Sequence, residues 1–401
     1  MVERTLQNHW IAGRRRPSES GATFEVGGEV GGFERWSRAR AEDVQAALTS
    51  NAIAAARWGA MPRSRRHAAL MRVAQALNPD QIGAALEADL DLDPGEGRER
   101  FDEDVFRFVE ALEILREGEN TEGVGVFGAH WSDWVGGIGA RLATHLLAGQ
   151  TALVLSDPRL PRAAQFLARA CEAAELDDGV INVLHADGRE ARETAFASVG
   201  LAFVRWKEDD QRLDELLHRN IVRVGTTSHF WRATNVSRCV FRDADPVLEA
   251  QAVVRSFLGR SSTISGQYPG STARVLCHER LFARFTEELL GQLEVDPDVV
   301  RPVPFLDADQ EDFLRHVWSL GLDEGATPIF GAPPSDRGDG DVSEGARGLV
   351  FTNVDPRSGF ARSTRPSPVL GLMRVADDLE ARELQFELDG PPKRDSHVPR
   401  A

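Results

Sequence analysis

A regular alternation of short apolar runs with longer helix-type segments, in the first half of the chain, most constrains the fold. The apolar runs at 124–127, 151–155 and 179–184 have the length and the valine and leucine content of strands. Segments with apolar residues at helical spacing, 137–147 and 161–174, separate these runs. Such repeats with short connections form parallel sheets with right-handed crossovers. The sequence therefore predicts an α/β domain with a doubly wound, Rossmann-like sheet.

A second block of the same texture begins near residue 239. A strand-type run at 239–241 precedes helix-type segments at 247–258 and 280–293, and another strand-type run follows at 349–352. The pattern predicts a second α/β domain.

Composition and charge exclude several classes of function. The 401 residues carry a formal net charge of -16, which would repel nucleic acid and anionic membranes. No apolar run has the length of a membrane span, and the first residues lack the pattern of a signal peptide. The three cysteines are isolated, without the spacing of a metal site. We expect a reduced, cytoplasmic protein with no metal, no nucleic acid and no membrane as partner.

Two motifs carry a family resemblance. The first is Gly266 and Gln267, followed by Arg274 and the strand-type run 275–277, and the second is the Gly-Val-Ile-Asn-Val-Leu run at 179–184. The chain resembles the aldehyde dehydrogenases in both. The resemblance implies a dinucleotide-binding domain joined to a catalytic domain.

The resemblance extends over roughly residues 5–375 and stops before the later elements of the family, so we expect a shortened second domain. The proline-rich, charged C-terminus has the composition of a disordered segment. The predicted divisions are a Rossmann-like domain at 1–228, a truncated catalytic-type α/β domain at 229–388 and a disordered tail at 389–401.

Three positions that carry the reaction in the family hold other residues in this chain. Where the family has its nucleophilic cysteine, this chain has Pro269, which has no nucleophilic side chain. The position of the general base holds Trp231, and that of the oxyanion-binding asparagine holds Ser132. We do not expect Ser271 to act as the nucleophile, since no base lies near it in the sequence. We do not expect His229 to act as the base, since a lone histidine beside Phe230 and Trp231 is more often a packed or partly exposed residue. The sequence therefore predicts no catalytic residues at the positions of the family.

The dinucleotide contacts of the family are replaced as well. Leu155 stands where a lysine binds the adenosine ribose, and Thr364 where a glutamate binds the nicotinamide ribose. The glycine-containing turn that receives the pyrophosphate is replaced by the segment containing Arg205, Trp206 and Asp210. We expect this segment to be a charged, capped start of a helix, and the protein to bind no cofactor.

These replacements favour an aldehyde-dehydrogenase-like pseudoenzyme, not an enzyme. It would act as a structural or regulatory subunit of an aldehyde-oxidising assembly, as a homo-oligomer or with an active aldehyde dehydrogenase. The alternative is an oxidoreductase that uses NAD or NADP on aldehydes in a rearranged active site. A binder of small molecules without chemistry is a third possibility.

Overall fold

The chain folds into two compact units, Met1–Arg232 and Ala233–Ala401. The fold comes from a computed structural model, whose description covers part of each unit. The described residues are 6–26, 34–90, 95–114, 123–132, 139–198, 201–208, 228–232, 234–258, 266–295, 308–332, 348–363 and 365–390.

The first unit contains ten described strands and seven described helices. The strands are β1 (Leu6–Gln7), β2 (His9–Ile11), β3 (Arg14–Arg16), β4 (Thr23–Val26), β5 (Glu34–Ser37), β6 (Val124–Gly128), β7 (Thr151–Ser156), β8 (Ile181–His185), β9 (Leu201–Glu208) and β10 (Ser228–Arg232). The helices are α1 (Ala41–Ala60), α2 (Arg63–Ala76), α3 (Pro79–Leu90), α4 (Glu96–Ile114), α5 (Ala140–Leu147), α6 (Pro161–Ala173) and α7 (Arg189–Ala197).

The main sheet of this unit has seven described strands in the order β10-β9-β6-β7-β8-β2-β3. The run from β10 to β8 is parallel, and β2 and β3 add an antiparallel edge. Strands β6, β7 and β8 are buried throughout, as expected for a sheet covered on both faces. One core joins residues of these strands to α1 and α7, while α5 and α6 pack against β7. The prediction of a doubly wound α/β domain is confirmed.

The second unit is built around a sheet of five described strands in the order β11-β12-β15-β14-β13. All neighbours are parallel except β13 and β14. The strands are β11 (Val236–Val240), β12 (Thr272–His278), β13 (Thr327–Phe330), β14 (Leu349–Thr352) and β15 (Val369–Val375), and the helices are α8 (Pro246–Leu258), α9 (Glu279–Val295), α10 (Ala308–Asp323) and α11 (Asp378–Asp389).

The N-terminus of helix α11 is capped by side chains of Asp377 and Glu380. The side chain of Asp377 accepts hydrogen bonds from the N–H groups of Leu379 and Glu380, both at 2.9 Å. In return, Oε2 of Glu380 accepts from the N–H of Ala376 at 2.6 Å. This reciprocal capping satisfies donors that a helix otherwise leaves unpaired. The helix ends at Asp389, the residue at which the tail is predicted to begin, and 391–401 lie outside the described residues.

Strand β9 replaces the helix start predicted at Arg205 and Trp206. The strand continues through both residues to Glu208. It has a parallel partner along this part, since Arg205 pairs with His229 and Trp206 with Phe230 of β10. The prediction of a helix start was wrong because the pairing strand lies about two dozen residues further along the chain, beyond any local pattern.

Within the described ranges, no helix is both long and apolar enough to cross a membrane. The same residues contain no group of three histidine, cysteine, aspartate or glutamate side chains placed to hold a metal ion. The cytoplasmic location stays a prediction.

Candidate functional site

The order of the parallel strands creates a topological switch in the first unit. From β6 the chain builds β7 and β8 on one side and then returns to place β9 on the other side. Consecutive connections therefore leave β6 and β9 in opposite directions. In open α/β sheets, ligands bind in the crevice that this arrangement opens at the carboxyl ends of the strands. The carboxyl ends of β6, β7 and β9 therefore define the candidate site.

The loop after β6 places an imidazole beside a hydroxyl at this edge. His130 is 2% exposed, and its Nδ1 lies 2.9 Å from Oγ of Ser132 and 3.2 Å from the N–H of the same residue. Because the backbone N–H can only donate, Nδ1 is an acceptor here, and the neutral ring carries its proton on Nε2. The serine hydroxyl can then donate to Nδ1. The structure thus places Ser132, the residue at the oxyanion position of the family, in a hydroxyl–imidazole pair.

Trp131 fixes the loop between these two residues. Its side chain is 2% exposed, and its N–H donates to Oδ2 of Asp157 at 2.9 Å. Asp157 follows β7, and the N–H of Ala129 donates to the carbonyl of Leu155 at 2.8 Å. The exits of two neighbouring strands are therefore tied together, which limits how far the His130–Ser132 pair can move.

Asp157 is a buried carboxylate with a guanidinium beside it. Oδ1 accepts from Nε of Arg159 at 2.9 Å, and Oδ2 accepts from an Nη of the same side chain at 2.7 Å. Burial raises the pKa of Asp157, but the adjacent guanidinium of Arg159 outweighs burial and holds the pKa below its usual value. The carboxylate stays ionised and neutralised, so this edge does not repel an anionic ligand.

Leu155 points away from the candidate site. It is 1% exposed and belongs to the core cluster that also contains Val126, Leu153 and Leu184. Leu155 cannot form the hydrogen bond that a lysine makes to a ribose, because its side chain is aliphatic and belongs to the core cluster that includes residues of α1 and α7. Its place at the ribose-binding position of the family stays a prediction.

The remaining positions predicted in the first unit lie on or near β9 and β10. The backbones of Arg205 and Trp206 belong to β9, and that of Trp231 belongs to β10, opposite Lys207. Asp210 lies outside the described residues, as does Thr364 in the second unit.

In the second unit, the Gly-Gln motif packs against the turn before β15. Gly266 has φ +72, and a Cβ there would lie 2.5 Å from Cα of Pro368 and 2.7 Å from the carbonyl oxygen of Ser367. Only glycine allows both the backbone conformation and the close approach. Pro269 follows in a turn and is partly exposed, and the N–H of Gly270 donates to the carbonyl of Thr234 at 2.9 Å.

Arg274, which closes the motif, is a structural anchor. It is 2% exposed and donates to Oγ of Ser237 at 2.8 Å, to the carbonyls of Ala361 and Ser363 at 3.1 Å each and to Oδ1 of Asp389 at 3.0 Å. The guanidinium of Arg274 therefore connects β12 to β11, to the segment 361–363 and to the end of α11. Burial lowers the pKa of Arg274, and Asp389 opposes that shift.

None of the three thiols of the chain is placed as a reactive thiolate. Cys171 and Cys277 are buried, which raises the pKa of each to about 12. Cys239 is half-buried, and burial raises its pKa to about 11. At neutral pH all three remain protonated, whereas reactive cysteines have a lowered pKa.

Sequence reasoning missed the His130–Ser132 pair and its link to Asp157. A signal for it exists: His130 and Ser132 follow one buried strand and Asp157 follows the next strand along the chain. Carboxyl ends of adjacent parallel strands meet at the same sheet edge, so polar residues after each strand come together.

Comparison with known proteins identifies relatives of this chain. An alpha-ketoglutarate semialdehyde dehydrogenase of Haloferax volcanii is 23% identical over 266 residues, which is 64% of this chain and 54% of the relative. The chain thus spans about half the length of that relative.

Solved structures share the fold. A 3,6-anhydro-L-galactose dehydrogenase in complex with NAP is 18% identical, with a TM-score of 0.83 and coverage of 95% of this chain and 84% of the other. A variant of aldehyde dehydrogenase C of Pseudomonas syringae, in complex with NAD+ and octanal, is 19% identical, with the same TM-score and coverage of 95% and 82%.

Two predictions are corrected by these relatives. The prediction that the chain is not an enzyme is contradicted, since the proteins it resembles in sequence and fold are dehydrogenases. The prediction of no cofactor is contradicted because several of the similar structures are complexes with NAD+ or NAP. Both predictions inferred a loss of function from the combined replacement of several site side chains. Hydride chemistry, however, resides in the cofactor, and the protein supplies binding and orientation through the sheet edge as well as through side chains.

The match to the family covers more than half of the chain. The model of the aldehyde dehydrogenase family matches residues 135–385, which include the Gly266 motif, Pro269 and Trp231. The resemblance on which the sequence analysis relies is therefore confirmed. The chain belongs to the aldehyde dehydrogenase family.

Proposed function

We propose that this protein is an oxidoreductase that oxidises aldehydes with NAD or NADP, in an active site rearranged relative to its family. The observation that carries the proposal is the polar edge at the β6/β9 switch, in a chain whose residues 135–385 match the family. The relatives with which this chain shares its fold include dinucleotide complexes. The substrate is proposed at the level of the aldehyde group only.

The sheet edge fits a dinucleotide in topology and in charge. The switch places the loop 129–132 and the exit of β7 side by side, where a nucleotide binds in open α/β sheets. Arg159 neutralises Asp157, so the pyrophosphate of a dinucleotide meets no net negative charge at this exit. Arg159, beside the loop, is the residue that would hold the cofactor. When bound, its nicotinamide accepts a hydride from the substrate.

Tryptophan fluorescence provides a direct test of binding, because Trp131 lies in the loop at this edge. We expect saturable quenching by NAD or NADP with a dissociation constant below about 1 mM. Wild-type protein, free of contaminating dehydrogenases, should then form reduced nicotinamide on addition of an aldehyde. Absence of saturation with either dinucleotide, or absence of turnover with a panel of aliphatic and aromatic aldehydes, would reject the proposal.

The assembly state is proposed from the family alone. A homo-oligomer, or an assembly with another member of the family, stays a prediction. Light scattering on the purified protein tests for a homo-oligomer, and co-purification from the native host tests for an assembly with another member of the family.

A further inference from the structure

The three cysteines are unsuited to forming a covalent intermediate with an aldehyde. Each has a pKa raised by burial, and Cys277 lies within the core beneath α8 and α9. No cysteine occurs between Cys239 and Cys277, so the loop around Pro269 offers no thiol either. If the protein oxidises aldehydes, as proposed above, the carbonyl carbon has to acquire its second oxygen without a thioester.

Water provides that oxygen without a protein nucleophile. Aldehydes add water reversibly to give a gem-diol, which already carries both oxygens of the acid. Its oxidation requires only removal of a proton from one hydroxyl and of a hydride from the carbon. The protein then needs a proton acceptor near the reacting carbon, with a hydrogen-bonded path for the proton.

The His130–Ser132 pair has the geometry of such an acceptor. Oγ of Ser132 is within hydrogen-bond distance of Nδ1, which is an acceptor in the neutral ring, and the serine is partly exposed while the imidazole is buried. The pair lies at the carboxyl end of β6, beside the switch point. Trp131 and Asp157 hold the loop in place. A hydroxyl at the surface and a base behind it form a two-step relay.

We propose that Ser132 and His130 relay the proton in the oxidation of hydrated aldehydes, and that the substrate class is aldehydes with a large hydrated fraction. This inference rests on the proposed function. The substrate hydroxyl gives its proton to Oγ of Ser132, whose own proton moves to Nδ1 of His130. The C–H bond breaks and its electron pair leaves as a hydride, for which a bound oxidised nicotinamide would be the acceptor, and the C–O bond becomes the carbonyl of the acid. The sum is RCH(OH)2 + NAD(P)+ → RCOOH + NAD(P)H + H+, and the proton leaves His130 to solvent.

Substitution of Ser132 tests the relay. Ser132→Ala should lower kcat by about 10²–10⁴, the size of a lost general base, while KM stays within about threefold. Ser132→Thr, which keeps a hydroxyl, should recover at least a tenth of the wild-type rate. Ser198→Ala is the matched control, since that hydroxyl donates to the carbonyl of Thr194 at the end of α7, in the same unit.

The pH dependence of kcat distinguishes a proton relay through Ser132 from a purely structural role of Ser132 in its loop. In wild type, kcat should fall on the acid side of its pH profile, and this limb should disappear in Ser132→Ala. An NMR titration of the imidazoles in the protein alone gives a readout that needs no turnover. The Nδ1 signal of His130 should shift in Ser132→Ala and remain unchanged in Ser198→Ala.

Removal of the thiols tests the covalent alternative. The variant Cys171→Ala, Cys239→Ser, Cys277→Ala should keep its rate within about threefold, and each of the three single variants should do the same if the triple variant does not fold. Chloral, an extensively hydrated aldehyde, should show a kcat/KM at least tenfold above that of benzaldehyde, a weakly hydrated one.

The outcomes separate this inference from the proposed function. A wild type that forms no reduced nicotinamide overturns both. Turnover that persists in Ser132→Ala, or that is lost on replacement of a cysteine while circular dichroism is unchanged, overturns only the relay. An acyl adduct on a cysteine, detected by intact mass after incubation with aldehyde and cofactor, overturns it as well.

Discussion

Arg66 donates hydrogen bonds to carbonyls at the C-terminal ends of two helices. It is fully buried and donates to the carbonyls of Trp58 and Gly59 at the end of α1 and to that of Leu147 at the end of α5, at 3.1–3.2 Å, as well as to that of Met61. The last carbonyls of a helix have no partner within the helix, and their burial is costly unless a donor reaches them.

We predict that Arg66→Met lowers the free energy of unfolding by about 2–4 kcal/mol, because several buried carbonyls lose their donor at once. Arg65→Met is the matched control: it changes the neighbouring, exposed arginine of the same helix and should cost under about 0.5 kcal/mol. Urea denaturation measures both. Equal losses in the two variants would contradict the anchoring role of Arg66.

Two glycines of the loop around Pro269 allow strain and crowding to be separated. Both Gly266 and Gly270 have positive φ, at +72 and +90, but only at Gly266 would an added methyl group meet other atoms within 4 Å. We predict that Gly270→Ala costs about 1 kcal/mol, from backbone conformation alone, and that Gly266→Ala costs about 2–4 kcal/mol because Pro368 has to move. Thermal unfolding of the two variants checks the difference. Similar melting temperatures would show that Ser367 and Pro368 can move away from the added methyl group without loss of stability.

Residue-level reasoning from the sequence was sound where a motif imposes its own geometry. Gly266 and Arg274 are recognisable as a pair, and the structure explains both by close approach and by buried donors. The His130–Ser132 pair carries no such spacing rule. It becomes visible only once the exit of β6 is seen beside Asp157 at the exit of β7.

At the level of elements, α11 protects the edge of the second sheet. Among the described strands of that sheet, β11 lies at one edge. The N–H of Ser237 donates to the carboxylate of Asp389, and the carbonyl of Ser237 accepts from Nε2 of Gln385. An unprotected strand edge invites pairing with another chain. Side chains of the last described helix thus occupy backbone groups that would otherwise be open to such pairing.

We predict that Asp389→Ala destabilises the protein by about 1–3 kcal/mol, since Arg274 loses its carboxylate and the N–H of Ser237 loses its acceptor. The loss should be smaller than for a fully buried pair, because the Asp389 side chain is 20% exposed. Glu387→Ala, on the exposed face of the same helix, serves as control and should lie within about 0.5 kcal/mol of wild type. Chemical denaturation distinguishes the two, and unchanged stability in Asp389→Ala would disprove the anchor.

The strands of the first unit were predictable because each carries its own signal. Buried parallel strands read as continuous apolar runs, as at β7 and β8, and the helices between them have helical spacing. Strand β9 is the exception, since its charged half, including Arg205 and Lys207, becomes a strand through pairing with β10. Tertiary context overrides local preference there.

At the scale of the whole molecule, three histidines of the first unit make the stability of the protein sensitive to acid. His9, His145 and His185 are buried there, and burial lowers their pKa values to about 4, 4 and 3. In the unfolded chain each has a pKa near 6.5. Between about pH 6.5 and 4 the unfolded state therefore binds protons that the folded state does not, and the free energy of unfolding decreases as the pH falls.

We predict a progressive drop in melting temperature from about pH 6.5 to 4, and no contribution from these groups above about pH 7. His145→Asn should make the dependence shallower by about one proton, because it removes one such group. His316→Asn, at an exposed position, should leave the dependence unchanged. Thermal unfolding across this pH range measures the slopes, and a flat profile for wild type would refute the assignment.

The burial of the cysteine thiols also affects how the protein responds to oxidants. Peroxide converts thiolates to sulfenic acids, and enzymes that depend on such a group stop working under oxidative stress. Here Cys171 and Cys277 are enclosed in protein, and Sγ of Cys239 lies 3.5 Å from the carbonyl of Ala381. If the protein oxidises aldehydes as proposed, its activity should persist at peroxide concentrations that inactivate thiol-dependent dehydrogenases.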